Sequence, residues 1–538
     1  MGQVHIQIAN RIEGEFVKAT CRVKDSNNKT VGFIIDGYYV KYYAALQNID
    51  LISNLKEVSG GILKSKHGKL KEAYVKDINK EHLHRLCLDN PLEREIQTQF
   101  EDWRHNWNRY VLYVTGARQI GKTTEILKFA YRHYEQVIYV NLANERDLGN
   151  FKNYVLSNTA MFGMINYCRH SGLEEYTDSP KTILIIDEIQ ESYEIYNSIR
   201  ALQSGLLCDI VVTGSYLGKT LNSKYFKPVG NTKEIEMMSL SFHEFCRANN
   251  SEKLLDNIDI YGKSASKEYE ALTSLYRVYT KIGGYPAVVR EYIKSKDMYM
   301  CHSIIENIVQ RFTEESASYF NNDKCMVVFD NVYKAAFMMM SKEKKGTASK
   351  DVQDVTDFVI RDTKEHVSRK EINQVLAWLK YSKIIGSCDL YNQGNVNDML
   401  SERRFYFMDC GIANYIAGLT PISNDAVQVI IAENFVYDEL YRLYKKHLLK
   451  GDKPCCSVYG NYELDFMLVD KQDKTYGIEV KSTKSNKHAS LDLYKSKGFI
   501  DEAYVVEITR GGKGQTCNTI PIYTVGCRFP YRKGKYEA

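Results

Sequence analysis

The sequence predicts an α/β multidomain protein built around a parallel sheet, and three observations carry that prediction. Near-continuous apolar runs recur at Tyr110–Val114, Val137–Val140, Thr182–Ile186 and Ile210–Val212, with helical material between them. Strands read this way when crossover helices cover both faces of a parallel sheet. A glycine-punctuated octapeptide, Gly116-Ala117-Arg118-Gln119-Ile120-Gly121-Lys122-Thr123, joins the first run to a helical pattern carrying Ile126, Leu127, Phe129 and Ala130. Finally, 538 residues are too many for one ordinary core.

The octapeptide fits G-x-x-x-x-G-K-[ST]. Glycines at its two ends let the backbone turn tightly enough to aim successive N–H groups at one anion, and the helix start adds its positive dipole end. Gly116 and Gly121 are therefore expected to shape a phosphate cradle. Lys122 is expected to reach the β- and γ-phosphates of ATP, and the Thr123 hydroxyl to hold Mg²⁺, with Thr124 beside it in the nucleotide-binding set.

Asp187-Glu188 closes the Thr182–Ile186 run. An aspartate there can hold hydrated Mg²⁺ opposite Thr123, and the adjacent Glu188 can polarise the attacking water. Standing alone, such a pair more often starts a surface turn; its place downstream of a phosphate loop in a parallel sheet favours the metal-holding reading. Thr213 or Ser215, at the end of the next run, could bond that water or the γ-phosphate, or simply make a strand-end turn. Arg118, Arg200, Arg277, Arg290 and Arg311 are all candidates for an arginine that completes the site, and nothing in the sequence selects one. Completion in trans would need an oligomer.

Composition bounds the rest. Hydrophobic residues make up 44% and charged residues 26%, ordinary for a soluble globular chain. Lys+Arg at 72 against Asp+Glu at 67 gives +5, which neither requires nor excludes nucleic acid. The 13 cysteines include no C-x-x-C and no histidine at zinc spacing, so reduced thiols are expected. The start of the chain carries no charged-then-apolar leader, and no apolar stretch reaches spanning length, so a cytoplasmic, non-membrane protein is expected.

Five segments are expected. Residues 1–90 form a small, mostly β module in which no chemistry stands out, leaving a structural role or the docking of a protein partner. Residues 91–240 form the nucleotide-binding core and 241–320 a helical lid interrupted by Gly283-Gly284-Tyr285-Pro286. Residues 321–400 read as a winged-helix module, where Ser368-Arg369-Lys370-Glu371 is a capping box and Ile372, Val375, Leu376 and Leu379 share one helical face. Ile384-Ile385, Cys388–Leu390 and Phe405–Phe407 are candidate wing strands. Such a module can read DNA, or it can be a packing spacer. Residues 401–538 form a last α/β unit.

That last unit carries a set of carboxylates. Glu433 falls in a helical pattern, Asp465 lies in the strand-like Glu463–Val469, and Glu479-Val480-Lys481 ends another strand. Side chains alternate along a strand, so Glu479 and Lys481 share a face, and Asp465 from a neighbouring strand can join Glu479 on one Mg²⁺. Lys481 could orient or deprotonate a water, and Glu433 could add an outer ligand. E-x-K alone is commonplace on solvated strands. The order helix-Glu, strand-Asp, strand-Glu-x-Lys is more specific and resembles the PD-(D/E)xK nuclease pattern, either metal-competent or a relic without turnover. Lys471, Lys474, Lys484, Lys487, Lys495 and Lys497 could contact phosphates or form an ordinary solvated face.

A wider resemblance rests on Gly116–Thr123, Ile183–Glu188, Thr213-Gly214-Ser215, Leu240–Phe245, Gly283–Pro286, Phe407–Asn414 and Glu433–Val436. Together and in this order they resemble bacterial and archaeal AAA-type P-loop ATPases that carry a C-terminal restriction-endonuclease-like domain of unknown function. The match spans about residues 91–510 and excludes the N-terminal module. It implies a P-loop NTPase sheet with a helical lid. Val229-Gly230-Asn231 stands where that family has Gly-Arg, and Ser239 where it has proline.

Three functions follow. The first is an ATPase whose nucleotide state controls a nucleic-acid-acting, nuclease-like domain. The second is an ATP-dependent signalling or scaffold switch with an inactive nuclease fold. The third is an ATP-responsive DNA-binding regulator. The filled Glu433, Asp465, Glu479 and Lys481 set favours the first over the second. The lack of a clear basic recognition helix counts against the third.

Overall fold

The computed structural model describes residues 79, 81–107, 110–214, 224–225, 231–258, 264–320, 324–343, 368–392, 402–481 and 488–528, together with six N-terminal strands. Those strands are β1 (Gln3–Ile8), β2 (Arg11–Lys18), β3 (Cys21–Lys24), β4 (Thr30–Ile35), β5 (Tyr38–Lys41) and β6 (Lys56–Glu57). β1 and β2 pair antiparallel, and β5-β4-β3-β6 form a second antiparallel sheet.

The next sheet is parallel throughout and has five strands among the described residues, in the order β11-β7-β10-β9-β8. They are β7 (Val111–Thr115), β8 (Gln136–Asn141), β9 (Thr182–Asp187), β10 (Asp209–Thr213) and β11 (Thr232–Glu236). The apolar runs become this sheet because they are buried on both faces. In β9, Ile183 and Ile185 enter one apolar cluster while Leu184 and Ile186 enter another on the opposite face. Helices Lys122–His133 and Tyr193–Gly205 cover opposite faces. Because β10 lies between β7 and β9, the end of β10 separates the loop after β7 from Asp187.

Helices follow: Phe242–Ala248, Ser266–Ile282, Pro286–Ser295, Met298–Phe320, Lys324–Glu343 and Arg369–Tyr381. The last begins with the expected capping box: Ser368 Oγ accepts from the Glu371 amide, and Glu371 Oε2 accepts from the Ser368 amide. Its Ile372, Val375, Leu376 and Leu379 are buried, and Trp378 meets Phe329 edge-on.

A mixed sheet closes the chain, with seven strands among the described residues in the order β13-β12-β14-β15-β16-β17-β18. These are β12 (Ile385–Asn392), β13 (Glu402–Phe407), β14 (Cys455–Tyr459), β15 (Tyr462–Val469), β16 (Thr475–Lys481), β17 (Glu502–Glu507) and β18 (Asn518–Pro521). The strands expected as a wing are the antiparallel pair β12–β13, and β12 is hydrogen-bonded in parallel to β14. One sheet therefore runs across the boundary expected near residue 400. The 22-residue helix Asn424–Lys445 is buried at every position from Ile430 to Tyr444. It packs against β13 and β16, and its Glu439 and Arg442 meet the segment after β11.

Candidate nucleotide site and C-terminal carboxylates

Gly116 leaves β7 with φ +137° so close to the chain after β11 that a Cβ would stand 2.1 Å from the Met237 carbonyl oxygen. Gly121, at φ +92°, is the N-cap of the helix Lys122–His133. Both positions need glycine, the first for the close approach and the second for the left-handed turn. Arg94 braces the loop from behind. Its buried guanidinium donates to the Ile120 carbonyl at 3.1 Å, the Met238 carbonyl at 2.6 Å and Glu244 Oε1 at 3.1 Å.

The Lys122 ammonium is buried and donates to the Gly116 and Ala117 carbonyls at 3.0 and 2.7 Å. Burial lowers its pKa to about 8, against the pull of Glu188 and Asp187, which favour the charged form. The Thr123 hydroxyl donates to Asp187 Oδ2 at 2.7 Å, and the Tyr139 hydroxyl donates to the same oxygen at 2.8 Å. The structure thus brings Gly116, Gly121, Lys122, Thr123 and Asp187 together, with Thr124 next along the helix. A hydroxyl and a carboxylate in contact, both hard oxygen donors, fit a Mg²⁺ that keeps several waters.

Glu188 is held in the left-handed region at φ +52°, a strained conformation for a residue other than glycine. Its carboxylate accepts from Gln190 Nε2 at 2.5 Å. Thr213, buried at the end of β10, gives its hydroxyl to the Val114 carbonyl at 2.9 Å. Ser215 lies outside the described residues. Among the candidate arginines, Arg118 is ion-paired with Glu315 of the helix Met298–Phe320, and Arg290 donates to the Asp89 carbonyl at 2.6 Å. Sequence reasoning missed Tyr139 and Arg94. Tyr139 sits in β8 facing Asp187, but its strand neighbour cannot be read from one sequence. Arg94 precedes the sheet and carries no motif.

The C-terminal carboxylates are arranged around a residue that the sequence did not single out. Arg404, buried in β13, donates through Nη1 to Glu433 Oε1 at 3.1 Å and through Nη2 to Glu463 Oε1 at 2.6 Å. Its Nη1 also lies 3.6 Å from Asp465 Oδ1. The Tyr406 hydroxyl donates to Glu433 Oε1 at 2.7 Å. Burial opposes the charge on Arg404, but Tyr406, Glu433 and Glu463 more than offset it, holding its pKa well above the usual value. Asp465 Oδ2 accepts from the Val480 amide at 2.7 Å, and Glu479 is ion-paired with Lys481. Among the described residues, no group of three or more His, Cys, Asp or Glu could hold a metal ion. Of the oxygens expected for Mg²⁺ here, Glu433 Oε1 accepts from Arg404 and Tyr406, Asp465 Oδ2 from the Val480 amide and one oxygen of Glu479 from Lys481, while Glu479 Oε2 is buried without a hydrogen-bond partner. Period two along Glu402–Phe407 puts Arg404 and Tyr406 on one face, the one sequence signal that could have linked them.

Strand, glycine loop, helix and the strand-end Asp187 on a five-stranded parallel sheet define a P-loop NTPase core. Residues 108–246 match the family model of an AAA domain, so the chain carries an AAA-type ATPase domain. Residues 273–423 match a domain of unknown function, DUF8612, whose span includes the β12–β13 pair. An uncharacterized protein of Haemophilus influenzae is 26% identical over 212 residues, covering 38% of this chain and 44% of that protein. The chain thus spans less than half the length of that curated relative. Similar solved structures include the Aeropyrum pernix ORC1 protein in complex with DNA, 13% identical over 66% of this chain and 92% of that one, with TM-score 0.26. The Thermotoga maritima RuvB Holliday junction branch migration motor is 12% identical over 55% and 90%, with TM-score 0.24. The replication initiator DnaA bound to AMPPCP and single-stranded DNA is 13% identical over 54% and 89%, with TM-score 0.25. Superpositions this loose carry no functional weight. No helix among the described residues is long and apolar enough to cross a membrane.

Proposed function

We propose that this protein is an ATP-binding, Mg²⁺-dependent ATPase whose nucleotide state controls its C-terminal α/β unit, and that this unit engages nucleic acid. The observation that carries the reading is the convergence of Lys122, Thr123 and Asp187 at the carboxyl ends of β7 and β9. Mg²⁺, when bound there, would supply positive charge against that building up on the phosphoryl group. The amides around Gly116–Thr123 and the Lys122 ammonium bind and orient the phosphates. Asp187 and Thr123 hold the ion, and Glu188, at the end of the same strand, positions the water. Tyr139 fixes the rotamer of Asp187 by sharing its Oδ2.

Control of the C-terminal unit is supported by the segment after β11. Met237 lies against Gly116, Ser239 and Leu240 accept from Arg442, and the Phe242 amide donates to Glu439 Oε1 at 3.1 Å. One stretch of chain thus touches both the phosphate loop and the helix Asn424–Lys445. A second reading keeps the ATPase and makes the C-terminal unit a nuclease-like fold that binds a partner without cleaving it. The ion pairs of Arg404 favour this reading over metal-dependent cleavage. In both readings the exposed Arg369 and Lys370 of the winged-helix-like segment are candidate phosphate contacts. The proposed organisation is an N-terminal β module, a nucleotide core, a helical lid, a winged-helix-like segment and a PD-(D/E)xK-like unit.

The test incubates the purified chain with ATP and Mg²⁺, with and without plasmid or single-stranded DNA, beside Lys122→Ala and Asp187→Asn. Expected are phosphate release in the native chain, its loss in both variants, and nucleotide-dependent retention of DNA. Phosphate release that survives in Lys122→Ala would sink the site assignment. DNA retention indifferent to nucleotide would sink the control.

A further inference from the structure

We propose that Arg404 is the resident cation of the C-terminal acidic cluster, its guanidinium standing where a nuclease-like site would use a divalent metal. Three carboxylates from two elements point at this one side chain: Glu433 from the helix Asn424–Lys445, and Glu463 and Asp465 from β15. The Arg404 side chain is only 6% exposed, so its charge is matched inside the protein rather than by water.

A guanidinium suits this place for reasons that a metal does not share. It is planar, always charged and weakly hydrated, and its fork sends donors in two directions, here to Glu433 and Glu463. A small divalent ion would instead need several oxygens to converge on one point about 2 Å away from each. Asp465 Oδ2 turns to the Val480 amide and Glu479 Oε1 to Lys481, which leaves Glu479 Oε2 buried without a hydrogen-bond partner. The register of β15 and β16, with Phe466 opposite Ile478, brings Asp465 level with Glu479 one step further on. The strands thus supply the geometry of a metal pair while the side chains are turned to internal cations. Tyr406 completes the lock by giving its hydroxyl to the Glu433 oxygen that Arg404 also engages.

The consequence is a C-terminal unit whose acidic cluster needs no metal and whose contacts with a partner are independent of divalent ions. This holds whether or not Lys122 and Asp187 bind ATP, and the test separates the two. Full-length protein carrying Asp187→Asn, to silence the nucleotide site, is titrated with Mn²⁺ by electron paramagnetic resonance and with Tb³⁺ by tyrosine-sensitised luminescence. Asp465→Asn and Glu479→Gln are each added in that background. The expected result is the same number of bound ions with and without either substitution. A bound equivalent that disappears in either would overturn the proposal. Arg404→Gln, checked for native circular dichroism and cooperative melting, is expected to gain one ion site that Asp465→Asn then abolishes. If Arg404→Gln does not fold, the comparison of Asp465→Asn and Glu479→Gln in the Asp187→Asn background decides alone.

Discussion

The Gly284 amide donates to Asp409 Oδ2 at 2.8 Å, and this bond ties the turn Gly283–Pro286 to the first turn of the helix Cys410–Gly418. The other oxygen of Asp409 caps that helix by accepting from the Gly411 and Ile412 amides at 2.9 and 3.2 Å. On the far side of the turn, Pro286 packs toward Gly121. A residue of the DUF8612 match thus reaches the phosphate loop through one turn.

That turn has no room for a side chain. A Cβ on Gly284 would stand 2.1 Å from the Leu240 carbonyl oxygen. Gly284→Ala is expected to lose about 1–3 kcal/mol, the usual cost of forcing extra atoms into a packed interior. Gly149→Ala, whose Cβ would meet nothing within 4 Å, is the control. Urea melts followed by circular dichroism measure both.

At the nucleotide site, Thr123→Ala removes the donor of the 2.7 Å hydrogen bond to Asp187 and one oxygen for the ion, and Asp187→Asn removes the negative charge that faces it. Lys122→Ala removes the buried ammonium. Each is expected to lower ATP turnover by about 10²–10³, the scale for removing one charge-stabilising group. Tyr139→Phe keeps the ring and loses only the bond to Asp187, so a smaller loss is expected. Steady-state phosphate release with saturating Mg²⁺ decides.

The pair His243–Glu95 makes stability depend on pH. Burial alone would lower the His243 pKa, but the 2.6 Å bond to Glu95 raises it above 6.5, with Glu252 adding to the rise and Arg247 opposing it. Burial works the other way on Glu95, whose pKa ends well below its ordinary value because His243 and Lys446 favour the carboxylate. The contribution of His243 is therefore complete below pH 6.5 and lost as pH rises through its raised value. That of Glu95 is present above pH 4.5 and lost on strong acidification. Thermal melts should show the native chain losing stability above pH 6.5 relative to His243→Gln.

Arg442 is buried and donates to the Ser239 carbonyl at 2.6 Å and the Leu240 carbonyl at 3.3 Å, with Glu439 at 3.5 Å. Arg442→Met leaves those acceptors behind and is expected to cost about 3–5 kcal/mol. Arg442→Lys should recover only part, because an ammonium lacks the fork that reaches neighbouring carbonyls. If ATP turnover per folded molecule falls as well in Arg442→Lys, the contact also serves the coupling.

Four strands of the parallel sheet were legible because each is locally apolar, whereas β11, Thr232–Glu236, carries three charged residues and one buried apolar side chain and gave no such signal. Lys122, Thr123 and Asp187 could be placed together from pattern alone. Partner choice was not legible. The Ile385–Asn392 strand reads locally as a wing, yet it pairs with Cys455–Tyr459 through a register such as Asp389 with Cys455, a long-range match that no local pattern encodes. The same reason hid Arg404. Its neighbours Arg403 and Phe405 say only that a strand is present, while its partners arrive from Glu433 and Glu463. The carboxylates were conspicuous as types; the cation between them was a matter of contact.

The helix Asn424–Lys445 has 22 residues and so is about 33 Å long at 1.5 Å per residue. Its two halves answer to different masters: Glu433 to Arg404, and Glu439 and Arg442 to the chain after β11. Being enclosed from Ile430 to Tyr444, it has no slack in which to bend or slide. Glu439, bonded to the Phe242 amide, and Glu433, bonded to Arg404, therefore sit on one continuous buried helix. In the proposed coupling, this helix is the element that joins the chain beside the phosphate loop to the acidic cluster.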